Sequence, residues 1–152
     1  MSLHIDFETR SATDLKKVGL DNYARDPSTD VWCMGFAFDD EPVDLLTMPE
    51  LYNRRMALTH PVARHIAEGG EVVAHNAAFE LAIWNNKLRR FGWPELKIEQ
   101  TRCTMAMTYA MALPGSLEKA AAAVGIKEQK NMAGHRLMMQ MEIGRASCRE
   151  RV

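Results

Sequence analysis

Three strand-like runs follow one another in the first 48 residues, before any long helical pattern. That order constrains the fold more than any other feature of the chain. LHIDFE alternates with a strict period of two, Leu3, Ile5 and Phe7 apolar against His4, Asp6 and Glu8 polar, which reads as a half-buried strand. VWCMGFAFDD is a strongly apolar run ended by acids and reads as a central strand. EPVDLLTM reads as a third strand, paired to the second through the DDEP turn. Short links between such runs predict an antiparallel meander at the N-terminus. The segment SATDLKKVGLDNYARDPSTD is polar, carries Asp-Pro-Ser, and reads as a loop with one helical turn.

Beyond the meander the pattern changes to strand–helix alternation. PELYNRRMALTHPVARHIAEGG is helix-like in its second half, with Pro61 suited to a first turn and Gly69-Gly70 to a stop. EVVAHN is a short buried strand. AAFELAIWNNKLRRFG reads as one helix, with Phe79, Ile83 and Trp84 on one side and Lys87, Arg89 and Arg90 near its C-terminus. ELKIEQT reads as a further strand and RCTMAMTYAMAL as a helix. PGSLEKAAAAVGI reads as a short helix with Ser116 as N-cap and Gly125 as stop, and EQKNMAGHRLMMQM as a loop leading into another helix. The expected class is α/β: a mixed sheet with helices on both faces.

At 152 residues the chain can build one domain with a real core. A net charge of −1 provides no global basic field, which excludes a purely electrostatic DNA-coating module. It does not exclude an enzyme that meets phosphates through metal ions, because the ions bring the positive charge. No apolar run approaches the ~20 residues of a membrane span, and the start lacks the pattern of a signal peptide. Cys33, Cys103 and Cys148 form an odd, sparse set without CxxC spacing, which predicts reduced thiols in a cytoplasmic setting. Methionines cluster in TMAMTYAMAL and RLMMQM, where helical core packing is the expected role.

EIGRASCRERV, residues 142–152, breaks abruptly with what precedes it: three arginines, a cysteine and no helical periodicity. It resembles one translated reading frame of a common sequencing adapter. It is expected to be a non-native tail. The domain is then residues 1–141, a partial one truncated at its C-terminus.

The chemistry-bearing residues are acids. Residues two apart on a strand share a face and lie roughly 7 Å apart. Asp6 and Glu8 thus present two carboxylates side by side, the kind of hard oxygen ligands that Mg²⁺ takes. Alone, this pair is a weak signal and fits a solvated strand face better, since half-exposed strands often carry it. The second element is AHNAAFE, at a strand-to-helix junction where α/β sheets commonly carry functional groups. Asn76 can hydrogen-bond a phosphate or water, Phe79 can offer a face to a base, and Glu80 adds a third carboxylate. Each also has a plain structural reading: Asn76 as N-cap, Glu80 as a first-turn acid favoured by the helix dipole, Phe79 as core.

The ordered pair of motifs, D-x-E on the first strand and N-x-x-F-E at a later strand–helix junction, resembles the first two motifs of the DEDD superfamily of 3′–5′ exonucleases. The stretch from LHIDFE through GFAFDD, together with AHNAAFELAIW, TRCTMAMTYAMALPGSLEKAAAAVGI and EQKNMAGHRLM, resembles the N-terminal proofreading domain of phage-type family A DNA polymerases. The resemblance implies a ribonuclease H-like fold and two Mg²⁺ or Mn²⁺ ions. It implies that Asp6 bridges both ions, that Glu8 ligates one and helps position the attacking water, and that Glu80 ligates at a position where the family more often has aspartate. Thr9 would approach the 3′-terminal nucleotide, and Asn76 and Phe79 would line its pocket. The implied substrate is the 3′ end of single-stranded DNA, and a polymerase domain is expected downstream.

The family's third motif, a tyrosine or histidine followed a few residues on by an aspartate, is not found downstream of Glu80. Tyr109 is followed by Ala-Met-Ala-Leu, and His135 by Arg-Leu-Met-Met-Gln. The 152-residue chain is therefore expected to be inactive or nearly so. Competing readings are a stand-alone exonuclease of the same superfamily acting on RNA or short oligonucleotides, a non-catalytic nucleic-acid-binding module of the same fold, and a metal-free α/β domain.

Overall fold

The computed structural model describes residues 1–126. The readings of EQKNMAGHRLMMQM and His135, the domain limit at 141 and the tail at 142–152 lie outside the described residues.

The period-two alternation of the first run becomes strand β1, Ser2–Arg10, with Leu3, Ile5 and Phe7 buried and His4 and Asp6 exposed. Strand β2, Asp30–Phe38, pairs with it antiparallel from Leu3↔Phe38 to Arg10↔Asp30. Strand β3, Asp44–Thr47, pairs antiparallel with β2 from Phe36↔Asp44 to Cys33↔Thr47. These three strands are the meander that the sequence predicts. Strand β4, Glu71–Ala74, joins the other edge of β1 in parallel, but only from Ser2↔Glu71 to His4↔Val73. Strand β5, Thr101–Cys103, runs parallel to β4. The order β3-β2-β1-β4-β5 makes a mixed, open five-stranded sheet, consistent with the ribonuclease H-like class.

Between β3 and β4 lie α3 (Met48–Leu51), α4 (Arg54–Thr59) and α5 (Pro61–Ala67). Pro61 opens α5, and Gly69 takes φ +82° just past its end. After β4 comes α6 (Ala77–Ile83); α7 (Thr104–Ala110) and α8 (Leu117–Ala123) follow β5. The buried face of the sheet packs Leu3, Ile5 and Phe7 against Ile66 of α5 and Ile83 of α6 in one continuous core. Trp84 joins Phe7 to Trp93, with ring centroids 6.2 and 5.4 Å apart. Both buried indole N–H groups are satisfied, Trp84 donating to the Pro94 carbonyl at 2.7 Å and Trp93 to that of Leu51 at 2.6 Å. On the opposite face, His4, Asp6, Gly35 and Val73 line an open groove of about 490 Å³, closed at one side by Thr104 of α7 and Leu117 of α8. Helices therefore flank both faces. No helix among the described residues is long and apolar enough to cross a membrane.

Several expectations change, among them that only the second half of PELYNRRMALTHPVARHIAEGG is helical, since α3 and α4 occupy its first half. The linker before β2 holds two short helices, α1 (Leu15–Val18) and α2 (Leu20–Arg25), where one turn is expected. Asp14 caps the first by accepting from the Lys16 N–H at 2.9 Å. ELKIEQT is not a strand over its length: a 3₁₀ turn spans Ile98–Gln100 and only Thr101–Cys103 pairs. The cause is Gln100, which is buried. Its amide donates to the carbonyls of Ile66 and Gly70 at 3.0 Å each and accepts from the Lys97 N–H at 3.2 Å, folding the chain locally.

AAFELAIWNNKLRRFG is not one regular helix either. After α6 it widens into a π-helix at Trp84–Leu88 and tightens into a 3₁₀ turn at Arg89–Phe91. Tertiary bonds override the local pattern here: Asn85 donates to the Leu96 carbonyl at 2.8 Å and accepts its N–H at 3.1 Å. Lys87 is not an exposed dipole partner but is buried, its Nζ donating to the Asp26 carbonyl at 2.6 Å, and burial lowers its pKa. Finally, the methionines of TMAMTYAMAL are not core: α7 buries none of its residues, and Met107 and Met111 are exposed. By contrast α8 starts and stops as predicted, with Ser116 Oγ accepting from the Lys119 N–H at 3.4 Å and Gly125 at φ +82°.

Candidate functional site

Strand pleating puts Asp6 and Glu8 on the face opposite Leu3, Ile5 and Phe7. Across β2, Asp6 faces Gly35 and Glu8 faces Cys33. Directly opposed residues share a face. The electrostatics agree: the half-buried Cys33 thiol is pushed up first by burial and then by the charges of Glu8 and Asp6. Immediately after Glu8 the register slips. Thr9 opposes Val31, which leaves Trp32 as the extra residue of a β-bulge. Bulges re-aim side chains and recur beside active sites.

The second motif reaches the same place from another direction. Pairing of β1 with β4 stops at His4↔Val73, and the chain then turns through Asn76 into α6. Asn76 sits at the N-cap position, but in the left-handed conformation (φ 69°, ψ 51°) and with no side-chain capping bond. Asparagine is one of the few residues that tolerate this region. The turn brings Glu80, in the first turn of α6, against the backbone of Phe7 and within the field of Asp6. Glu80 is 4% exposed. Burial raises its pKa from 4.5 to about 8; the Asp6 charge adds to the rise, and the backbone N–H groups of Glu80 and Phe7 oppose it. Its Oε2 is buried without a hydrogen-bond partner.

Phe79 is partly buried against the core, and Thr9 is half-exposed at the end of β1. Sequence reasoning placed these two as substrate contacts but missed what joins them. Tyr23 of α2, buried, shares a 2.9 Å hydroxyl–hydroxyl bond with Thr9 and sets its ring 6.3 Å from that of Phe79. The available signal was slight: Tyr23 is the sole aromatic in an otherwise polar linker. His75 carries no motif signal in the sequence. Its Nε2 donates to the Gly115 carbonyl at 2.8 Å, which leaves Nδ1 to accept from the Thr104 hydroxyl at 3.0 Å, so it ties the end of β4 to α7 and to the turn before α8.

The structure thus gathers Asp6 and Glu80 as an electrostatically coupled pair, with Glu8 one strand repeat from Asp6. Two like charges at a buried edge call for a proton or a cation. Hard carboxylate oxygens, one of them unpartnered, suit Mg²⁺ or Mn²⁺ in donor chemistry. Among the described residues no group of three or more His, Cys, Asp or Glu is already gathered to hold a metal ion. Residues 1–126 therefore offer a coupled pair and a neighbouring acid, not a finished cage.

No family model matches the chain. A DNA polymerase of Bacillus phage SP02 is 29% identical to it over 143 residues, which make up 93% of this chain and 21% of that polymerase. The chain spans about a fifth of the length of this relative. The similarity supports a polymerase-related domain.

Proposed function

We propose that this chain is the metal-dependent 3′–5′ exonuclease, or proofreading, domain of a phage-type DNA polymerase, acting on the 3′ end of single-stranded DNA in the cytoplasm of a bacterial or phage-infected cell. The observation that carries the reading is Glu80: a buried carboxylate with an unpartnered oxygen, held against the strand that bears Asp6 and Glu8. A merely structural glutamate gains nothing from that placement, since a buried acid without full hydrogen bonding costs stability.

Asp6, Glu8 and Glu80 would hold two divalent ions, with Asp6 common to both. Such ions, when bound, would make water a nucleophile at neutral pH and would stabilise the attacking and leaving oxygens of a phosphodiester hydrolysis. Glu8 orients the attacking water. Glu80 must give up its proton to act as a ligand, which couples metal affinity to pH. Thr9, tethered by Tyr23, meets the terminal nucleotide, and Asn76 and Phe79 line its pocket. The products are nucleoside monophosphates.

A fourth carboxylate, from the third motif, is required in the family this chain resembles and is absent from the 152 residues. The test is degradation of a 5′-labelled single strand in Mg²⁺ by two proteins, this chain and a version extended with the continuation of its own reading frame. The extended chain should shorten the strand from its 3′ end, and this chain should not. Full activity in the 152-residue chain sinks the four-carboxylate requirement. No activity in the extended chain sinks the nuclease reading.

A further inference from the structure

With a net charge of −1, the chain cannot draw in a polyanion through its overall field, so affinity for a strand must come from local groups. The bulge beside Glu8 supplies one. It leaves Trp32 unmatched in the β1–β2 ladder, half-buried rather than in the core, unlike Trp84 and Trp93 at 0% and 3% exposure. Arg10, two residues past Glu8 on the same strand, holds its guanidinium carbon 6.0 Å from the Trp32 ring centroid. That is the outer edge of cation–π range. The guanidinium has one further polar partner among the described residues, Asp30. Its terminal nitrogen makes a 3.5 Å ion pair with Asp30, Asp30 also takes the Tyr52 hydroxyl at 3.2 Å, and Arg10 Nε is buried without a hydrogen-bond partner.

From this geometry we infer that Trp32 and Arg10 form a nucleotide-binding platform next to the acid site, where the indole stacks on a base of single-stranded DNA and Arg10 takes the adjoining phosphate. An aromatic face paired with a cation is how sequence-tolerant single-strand sites are built, because every base has a π-face. Arginine suits the second role, since its planar fork matches a phosphate and its weak hydration lets it leave the ring cheaply. The contact with Arg10, which by strand alternation shares the face of Asp6 and Glu8, puts the Trp32 ring beside that face. The platform lies along β1 from Asp6 and Glu8, so a strand whose 3′ end reaches those acids would cross Trp32 with a nucleotide further back.

The inference rests on the nuclease reading for the direction of the strand, but its test needs neither metal nor hydrolysis. Trp84 and Trp93 are buried, so quenching of intrinsic fluorescence by an oligonucleotide reports on Trp32. In EDTA, a short oligothymidylate should quench the 152-residue chain saturably, while an abasic analogue of equal charge should not. Trp32→Leu should weaken binding, read by anisotropy of a labelled strand, on the order of tenfold. Trp32→Phe should keep affinity within about threefold while abolishing the quench, since phenylalanine still stacks. Arg10→Met should lower the salt dependence of binding by about one phosphate contact. Quenching that persists in Trp32→Phe, equal quenching by the abasic strand, or an unchanged Kd in a Trp32→Leu variant with wild-type circular dichroism overturns the platform. If Trp32→Leu does not fold, the Trp32→Phe and abasic comparisons decide alone. Hydrolysis by the extended chain without any dependence on Trp32 refutes the platform and spares the nuclease; a Trp32-dependent quench without hydrolysis does the reverse.

Discussion

Two kinds of acid meet at this site. Asp6 lies exposed on a strand face, and Glu8 half-exposed beside it, so water reaches both. Glu80 comes from a helix, is buried, and is pushed up to about 8, so that at neutral pH it mostly holds its proton. The strand acids are put on one face by pleating. Glu80 is placed by a left-handed turn at Asn76 and costs stability whenever it is charged. The contrast teaches that a charged site can be assembled from groups that water reaches plus one costly buried group, and that the costly one is the better marker of chemistry.

The largest effect expected from breaking this contrast is on hydrolysis by the extended chain. Asp6→Asn or Glu80→Gln should each lower the rate by about 10²–10⁴-fold, since under the proposed function each takes away a metal ligand and hence several kcal/mol of charge stabilisation. If the rate of Glu80→Gln stays within a factor of about three of wild type, Glu80 is a structural acid and the two classes collapse into one.

The next effect is on stability. Glu80 has a folded pKa near 8 against an ordinary 4.5, so between those values the folded chain holds a proton that the unfolded chain has released. Stability from this group is fully present below about pH 4.5, falls as pH rises through the window to about 8, and is level above it, a total change on the order of 3–5 kcal/mol. Glu80→Gln should flatten that dependence and raise Tm at pH 8, as read by thermal melts across the range. Millimolar Mn²⁺ at pH 8 should raise the wild-type Tm, because an ion bound only by the native state stabilises it, and should do less for the variant.

The legibility of the sequence follows the same division. Alternation in LHIDFE located the strand acids and their shared face, because a period of two is a property of the local backbone. The meander and the existence of the EVVA strand were equally readable, while its parallel pairing beside β1 was not. What could not be read was set by contacts far away in the chain. The break of the long helix into a π segment depends on Asn85 reaching Leu96, and the turn at Ile98–Gln100 depends on Gln100 reaching Ile66 and Gly70. Glu80 was named from motif order, yet its burial and its coupling to Asp6 required the turn at Asn76 to be seen. The apolar composition of TMAMTYAMAL suggested core, but composition does not say which face of a helix meets a partner, and α7 meets none in the described core.

A smaller effect concerns the tether between the two motifs. Tyr23→Phe keeps the ring against Phe79 and removes only the hydroxyl bonded to Thr9. It should cost about 0.5–1.5 kcal/mol of stability. In the extended chain it should raise KM more than it lowers kcat, if Thr9 acts on the bound end of the strand and not on the reacting water. An equal fall in kcat and kcat/KM would move Thr9 to the chemistry itself.

The smallest effect tests why Asn76 is there. Its left-handed backbone would suit glycine, which meets no Cβ penalty at positive φ. Asn76→Gly should therefore leave stability within about 1 kcal/mol of wild type, because the asparagine side chain makes no capping bond that could be lost. If the amide were only structural, the substitution would be silent. If it faces the terminal nucleotide, Asn76→Gly should weaken oligonucleotide binding several-fold at nearly unchanged Tm, a separation that a folding role cannot produce. Asn76→Ala is the complementary case: it removes the same amide and adds backbone strain, so it should bind no better than glycine while melting lower.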